Sequence, residues 1–484
     1  METSTGNNYK WLALLTVSIG TFMGTLDASI VIISLPRLTE VFDTEPSVVL
    51  WVTIAYLLAS VSLMLMIGKL GDVFGKKRVY VTGFALFTVG LILCALSQTI
   101  VQLILARIVQ AIGSAMVFAL GNAIVTAAFP ERERGKALGI VGGVVSAGLL
   151  SGPVIGGLLL GVLDWQALFY LRIPIGVIGV FMSWRLLREP PGKRDTGRFD
   201  WAGAATLFGG LTCLLLFFNL GGTMGFAAPL VLALAVGAVT LLVIFVRIER
   251  RAAAPILDLP LFRNPLFARG LGSMGAMFLA TAAYVFLMPF YLLQGVGLQT
   301  SQAGLLLATT SATTLIVGPI SGWLSDRIGS RVLCTAGTAI IGAGILLLSQ
   351  LDADSTTLAI VSRLAVVGLG LGLFSAPNNS SIMGAVPQAH LSTASAMIAT
   401  TRQIGMSSGM AIAGAIFAAR QVYHSAQLAG ENLAPAALDR LSLVNSFQDS
   451  LALAAIFCVI AVAASWLRGG RQALETPTET QGSR

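Results

Sequence analysis

Gly68-Lys69-Leu70-Gly71-Asp72-Val73-Phe74-Gly75-Lys76-Lys77-Arg78 and, 254 residues later, Gly322-Trp323-Leu324-Ser325-Asp326-Arg327-Ile328-Gly329-Ser330-Arg331 are two copies of one loop. Each copy follows an apolar run and has an acid between two glycines, then a basic cluster. A second pair of markers, Arg107 and Arg363, stands early in two otherwise apolar runs at a spacing of 256. Two markers at nearly one spacing predict two homologous bundles of six helices, with two extra helices between them. Parallel repeats of this kind place a substrate site near the bilayer midplane at the repeat interface.

The wider composition agrees with a membrane location. The 484 residues are 56% hydrophobic and 11% charged, where soluble chains carry roughly 25% charge. Apolar runs of spanning length fall near 11–35, 48–69, 79–97, 100–128, 137–162, 167–187, 199–220, 227–247, 266–293, 301–324, 332–350, 356–377, 393–420 and 449–467. The expected fold is therefore an all-α polytopic membrane protein with fourteen spanning helices. Its expected parts are a six-helix bundle at 1–190, a two-helix insert with its linkers at 191–262, a second six-helix bundle at 263–470 and a polar tail at 471–484. The first run follows a polar segment ending at Lys10 and has no small-residue cleavage site, so it reads as a spanning helix and not a signal peptide.

The net charge of +8 is read by location. Lys69, Lys76, Lys77, Arg78, Arg132, Arg134, Lys136, Arg188, Arg247, Arg250, Arg327 and Arg331 fall in loops on one side. Glu40, Asp43, Glu45, Asp164, Asp352 and Asp354 mark the other. The positive-inside rule puts the basic loops and both termini in the cytoplasm, and short tails without an organelle signal lead to the expectation of a plasma (inner) membrane. That placement excludes nucleic acid as the reason for the charge. Four cysteines in apolar runs, no Cys-x-x-Cys and two histidines exclude disulfide and zinc chemistry. The glycines at 368, 370 and 372 lie in an apolar helix with no strand before them, and no phosphate loop is present, so neither a nucleotide nor another cofactor is expected. No nucleophile, base and orienting acid come together in the sequence. An enzyme is not expected.

One run is unusual. Gly148-Leu149-Leu150-Ser151-Gly152-Pro153-Val154-Ile155-Gly156-Gly157 lies inside the fifth span. Interior glycines cost roughly 1 kcal/mol each in helix propensity and proline about 3, so the segment must recover that by close packing or bending. Gly148, Gly152, Gly156 and Gly157 are expected to seat it against a helix of the second bundle, with a kink at Pro153.

Taken in order, these segments resemble the major facilitator superfamily, specifically its fourteen-helix drug:proton antiporter family. The duplicated loop is similar to the signature GxLaDrxGrkxxl, with Val73 in place of an arginine that the second copy keeps as Arg327. Leu26-Asp27-Ala28-Ser29-Ile30-Val31 to Leu35-Pro36 resembles LDxTIVNVALP, and Trp51-Val52 with Tyr56 fits the second-helix pattern. Arg107 to Gly113 fits RxxQGxG with one Gly to Ala change, and the glycine-rich run fits GxxxGPxxGG. At the sixth helix Arg172 stands where asparagine is usual. The resemblance implies that Arg107 faces the central cavity near the helix-one acid.

Asp27 is the one carboxylate well inside any expected span, which suggests a low proton requirement. A charge at that depth costs at least about 2.5 kcal/mol and calls for a partner, a wet cavity or a proton. Burial favours the neutral acid and a nearby arginine favours the carboxylate, so Asp27 with Arg107 forms a candidate proton-coupling pair. Gln110, one turn on, extends the polar track. Asp72 and Asp326 can accept from exposed amides at the start of a helix in the opposite bundle, acting as latches. Gly68 and Gly75 shape that loop, and Lys76, Arg78, Arg327 and Arg331 are its expected basic partners. Arg363, Arg402 and Asn378 are expected to line the cytoplasmic half of a cavity, with Tyr56 and Phe286 as aromatic contacts. Residues 421–447 read as a long outer loop that could carry a short amphipathic surface helix.

The expected function is proton-coupled export of small amphiphilic or lipophilic compounds by a monomer in contact with membrane lipids. A lipid or glycolipid exporter is the alternative, with anionic headgroups suiting Arg172, Arg363 and Arg402. A non-transporting membrane sensor is the remote one.

Overall fold

The computed structural model describes residues 3–189, 199–252, 255–429 and 434–467. The expected tail at 471–484 and most of the linker after the first bundle lie outside the described residues. Helices dominate: α1 (Thr3–Val41), α2 (Trp51–Phe74), α3 (Lys76–Ala95), α4 (Ile100–Ala128), α5 (Arg134–Val162), α6 (Ile173–Leu186), α7 (Trp201–Met224), α8 (Pro229–Glu249), α9 (Pro265–Phe290), α10 (Thr300–Ile328), α11 (Ser330–Leu348), α12 (Thr357–Gly384), α13 (Leu391–Leu428) and α14 (Pro435–Trp466). Among the described residues, thirteen helical segments are long and apolar enough to cross a membrane. α13 is too polar to count among them, but at about 1.5 Å per residue it is more than long enough to span.

Local chemistry sets the boundaries. Thr99 caps α4 by accepting from the Gln102 amide, and Thr356 caps α12 by accepting from the Ala359 amide. Prolines open α8, α9 and α14, where a missing N–H costs nothing. Gly75 and Gly329, with φ of 102° and 86°, turn the chain between α2 and α3 and between α10 and α11. Large apolar side chains such as Val236, Val239, Leu305, Leu358 and Val459 remain exposed on the outside, as a lipid-facing surface requires.

α1–α6 and α9–α14 are two copies of one bundle, and α7 packs against α2 of one and α13 of the other. The repeat has two registers. Gly75 and Gly329 are 254 residues apart, but Thr99 and Thr356 are 257 apart, because the loop before α12 is longer than the loop before α4. The Arg107–Arg363 pairing at 256 is therefore one residue out of register. Leu364 is the counterpart of Arg107, and one residue on a helix is about 100° of rotation.

Two further expectations are corrected. Residues 421–447 do not form a long loop with a separate surface helix: α13 continues to Leu428 and α14 begins at Pro435. The first helix starts at Thr3, so it takes in the polar residues up to Lys10.

The end of the molecule holding Lys76, Arg78, Arg327 and Arg331 is called the basic end below, and the end holding Glu40, Asp352 and Asp354 the acidic end.

Candidate functional site: a buried acid clasped by two arginines

Asp27 sits in the middle of α1 and is fully buried. Its two carboxylate oxygens are both occupied. Arg107 Nη1, from α4, donates to Oδ2 at 2.7 Å. Arg172 Nη1, at the residue preceding α6, forms a short ion pair with Oδ1. Gln110 Nε2 also donates to Oδ1 at 3.0 Å, and its Oε1 accepts from Arg107 Nη1 at 2.6 Å. Gln110 thus joins the acid and the arginine in one ring of hydrogen bonds.

Each arginine is itself held. Arg107 Nε donates to the Val52 carbonyl at 3.3 Å, and its guanidinium lies 4.1 Å from the centroid of the Tyr56 ring. Tyr56 donates to Ser114 Oγ at 2.7 Å. This tyrosine, expected to contact substrate, is buried beneath the arginine as its platform. Arg172 Nε donates to the Leu168 carbonyl at 2.7 Å and the guanidinium packs near Phe169, but Nη2 is buried without a partner. Two cations around one carboxylate leave a net positive charge in a desolvated place. Removing the acid alone would leave both uncompensated.

Arg172 is the residue that sequence reasoning missed here. It is marked only as an arginine in an asparagine position, and its role was sought at anionic headgroups. Its burial against Asp27 leaves no such access.

The glycine-rich run lies against the same acid. A Cβ on Gly148 would collide with Thr25, and one on Gly152 with Ser29, so α5 touches α1 on both sides of Asp27. Ser29 Oγ donates to the Gly148 carbonyl at 3.3 Å. The run was expected to meet the second bundle. It packs inside its own bundle, and the contact with the second is made nearer the start of α5. There Gly135 faces Gly322, and a Cβ on Gly139 would lie 2.7 Å from the Gly318 carbonyl oxygen. Gly156 is buried and Gly157 faces open space. The side chain of Pro153 lies outside the described residues, and α5 runs through that position as a continuous helix.

At the basic end the two duplicated carboxylates each reach across to the other bundle. Asp72 accepts from the amides of Ser392 and Thr393 at 3.4 and 3.3 Å, and from Thr393 Oγ1 at 3.0 Å, at the start of α13. Lys76 Nζ stands 3.3 Å from Oδ1, the oxygen that also accepts from the Ser392 amide. Asp326 accepts from the amides of Gly135 and Lys136 at 2.9 and 3.0 Å, at the start of α5. Both are helix N-termini, where four amides lack intrahelical acceptors and the dipole favours an anion. Gly68 allows α2 to approach α13: a Cβ there would lie 2.7 Å from Ala396 Cβ. Of the remaining basic residues, Arg327 stacks on Trp323 and Arg331 on Trp466. Arg78 is exposed and stays apart from the carboxylates.

The residues expected around a cavity are dispersed. Arg363, six residues into α12, lies towards the acidic end, away from Asn378, and its Nη1 is buried without a partner. Asn378 is fully buried on the same helix nearer the basic end, both side-chain polar atoms without partners. Phe286 packs with Phe290 at 5.5 Å between centroids. Arg402 lies eleven residues into α13.

A second intramembrane carboxylate also escaped the sequence reading. Asp449 was taken as the edge of the last span, but α14 starts fourteen residues before it. It accepts from Arg420 Nε at 2.7 Å and pairs with His424 Nε2 at 2.7 Å, both from α13. Asp27 is seventeen residues beyond Lys10, and Asp449 seventeen before Trp466. Both lie about 26 Å along their helices from the basic end.

Comparison with known proteins agrees with this architecture. Residues 17–410 match the family model described as Major Facilitator Superfamily. The chain is 36% identical over 415 residues to the riboflavin transporter RibZ of Clostridioides difficile, covering 86% of this chain and 90% of the relative. It is 32% identical over 414 residues to the multidrug resistance protein Stp of Mycobacterium tuberculosis, covering 85% and 77%. The crystal structure of the human organic anion transporter MFSD10 shares the fold, with a TM-score of 0.67 at 15% identity over 93% of this chain and 99% of that one.

Proposed function

The chain belongs to the Major Facilitator Superfamily, and on that premise we propose that it is a proton-coupled antiporter of the fourteen-helix drug:proton type, exporting small amphiphilic compounds. That it is a membrane transporter and not an enzyme follows from the family and its transporter relatives. The observation that carries the finer reading is the clasp on Asp27. A carboxylate sealed between Arg107 and Arg172 exchanges a proton only when the arginines move away, so its protonation is tied to helix movement. α5 supplies the link. Its start is held by Asp326 of the second bundle, and further along it is seated on α1 beside Asp27.

In this reading the basic end faces the cytoplasm, as the positive-inside rule requires. Closed latches at Asp72 and Asp326 shut the cytoplasmic route. Protonation of Asp27 from the outer side releases Arg107 and Arg172, α5 shifts, and the latches open to take substrate from the inside. Return of the arginines expels the proton inward. Each proton moved contributes about 2.3 kcal/mol per 100 mV of membrane potential. Export fits the relatives named for multidrug resistance and for tetracenomycin C resistance and export.

The test is Asp27→Asn, which keeps hydrogen-bonding capacity but cannot carry a proton. In energised membrane vesicles it should abolish uphill efflux and spare downhill exchange. Uphill efflux at the wild-type level in that variant would overturn the assignment.

A further inference from the structure

We propose that Arg402 holds an anionic group of the transported molecule, so that the preferred substrates are amphiphiles bearing a carboxylate, phosphate or sulfonate. The inference rests on the transporter reading above and specifies its substrate class.

A charge at membrane depth needs a counter-charge. Asp27 has Arg107 and Arg172, and Asp449 has Arg420 and His424. Arg402 has none. Among the described residues it makes no hydrogen bond, ion pair or ring contact, and it is half-buried on α13. Arg363 Nη1 and Arg172 Nη2 are also unpartnered, but both atoms are fully buried, whereas Arg402 keeps part of its surface open. A half-buried guanidinium with no protein partner leaves its charge free to meet that of a ligand.

Its position suits a transported ligand. Arg402 lies about 17 Å along α13 from the basic end, near the middle of a roughly 30 Å hydrocarbon layer and beyond the headgroups of resident lipid. One turn on, Gly405 brings α13 against α9, where a Cβ would be 2.9 Å from the Gly275 carbonyl oxygen. Towards the basic end, Ala396 meets Gly68 of α2 in the first bundle. The arginine therefore stands on a helix shared between the bundles. The scaffold does not require it: at the 257-residue register its counterpart in α5 is Val145. A cationic substrate would add like charge beside it, and a neutral one would leave it uncompensated.

Three matched probes decide the matter: an aryl-alkyl carboxylate, its primary amide and its trimethylammonium analogue. Equilibrium binding to the full chain in lipid nanodiscs should favour the carboxylate over the amide at least tenfold. Arg402→Gln should remove that preference while retaining amide binding, and Arg402→Lys should keep most of it. Equal or weaker binding of the carboxylate to wild type, or an unchanged preference in Arg402→Gln, would overturn the proposal. Should Arg402→Gln fail to fold, a preference lost in a folded Arg402→Lys together with tightened binding of the trimethylammonium probe to wild type would overturn it equally. Binding of the carboxylate without its uphill movement would count against the transport reading and leave the Arg402 site standing.

Discussion

The two bundles share a scaffold and differ in chemistry. Gly148 and Gly152 seat α5 on α1, and 257 residues later Gly405 and Gly409 seat α13 on α9 through the Gly275 and Leu279 carbonyls. Asp72 and Asp326, Gly75 and Gly329, and Thr99 and Thr356 repeat in the same way. The polar ring does not. Matching the glycine contacts sets Ala280 opposite Asp27, and the loop registers set Thr310 opposite Tyr56, Leu364 opposite Arg107 and Val367 opposite Gln110. Ala280, Leu364 and Val367 are fully buried. The repeat thus fixes how helices pack and where the latches fall. The Asp27 ring is an addition to one copy, and opposite its acid, Arg107 and Gln110 the second bundle carries the apolar Ala280, Leu364 and Val367.

The sharpest way to break this comparison is to give the first bundle the chemistry of the second. Asp27→Ala alone leaves Arg107 and Arg172 buried without a counter-charge and should lower stability by about 3–5 kcal/mol. Adding Arg107→Leu and Arg172→Leu should restore most of that loss, because an apolar replacement of a whole buried charge cluster is often neutral or stabilising. Thermal unfolding in detergent reads both. An Asp27→Ala protein as stable as wild type would mean that the clasp contributes nothing to the conformation seen here.

What the sequence made legible was whatever repeats or sits alone in an apolar run. The duplicated loop announced two bundles, and Asp27 and Arg107 stood out as charges with no reason to be in lipid. Asp72 and Asp326 could be read as ligands of opposite helix starts because helix termini offer amides wherever they occur. Pairing across the chain was not legible. Arg172 lies 145 residues from Asp27 in sequence, at a span edge where arginines ordinarily snorkel, so nothing local ties it to the acid. Arg363 looked like the partner of Arg107 because one-letter spacing does not reveal that the register shifts by three residues between Gly329 and Thr356. Asp449 was hidden by hydropathy, which drops over Pro435–Gln448 although the helix does not end there.

The latches offer the next largest effect, and here the bundles should behave alike. Hydrogen bonds to a charged group are worth about 1.5–3 kcal/mol. Asp72→Asn and Asp326→Asn should each move the population towards an open basic end. A reporter at Ser392→Cys, in a background without Cys94, Cys213, Cys334 and Cys458, should then label on the order of tenfold faster, since 1.4 kcal/mol is tenfold. Ser392 is buried against α2 while the latch is closed. A response to Asp72→Asn with none to Asp326→Asn would show that the two halves of the repeat are mechanically unequal.

The smallest expected effect separates the two acids that lie at one depth. Asp27 is fully buried, whereas 34% of the Asp449 side chain is exposed, as is 39% of its partner Arg420. A charged pair this open at membrane depth requires water beside it, and ion pairs that water reaches contribute about 0–1 kcal/mol, because the water screens each charge and holding two long side chains costs entropy. Asp449→Asn should therefore change stability by at most about 1 kcal/mol. His424 and Arg420 still reach solvent when the carboxylate is neutralised, so neither becomes the stranded buried cation that Asp27→Ala creates. Uphill efflux should persist in Asp449→Asn and fail in Asp27→Asn when both are measured in the same vesicles. Loss of uphill efflux in both variants would mean that coupling is shared between the bundles, and that the apolar set at Ala280, Leu364 and Val367 is no guide to where protons are handled.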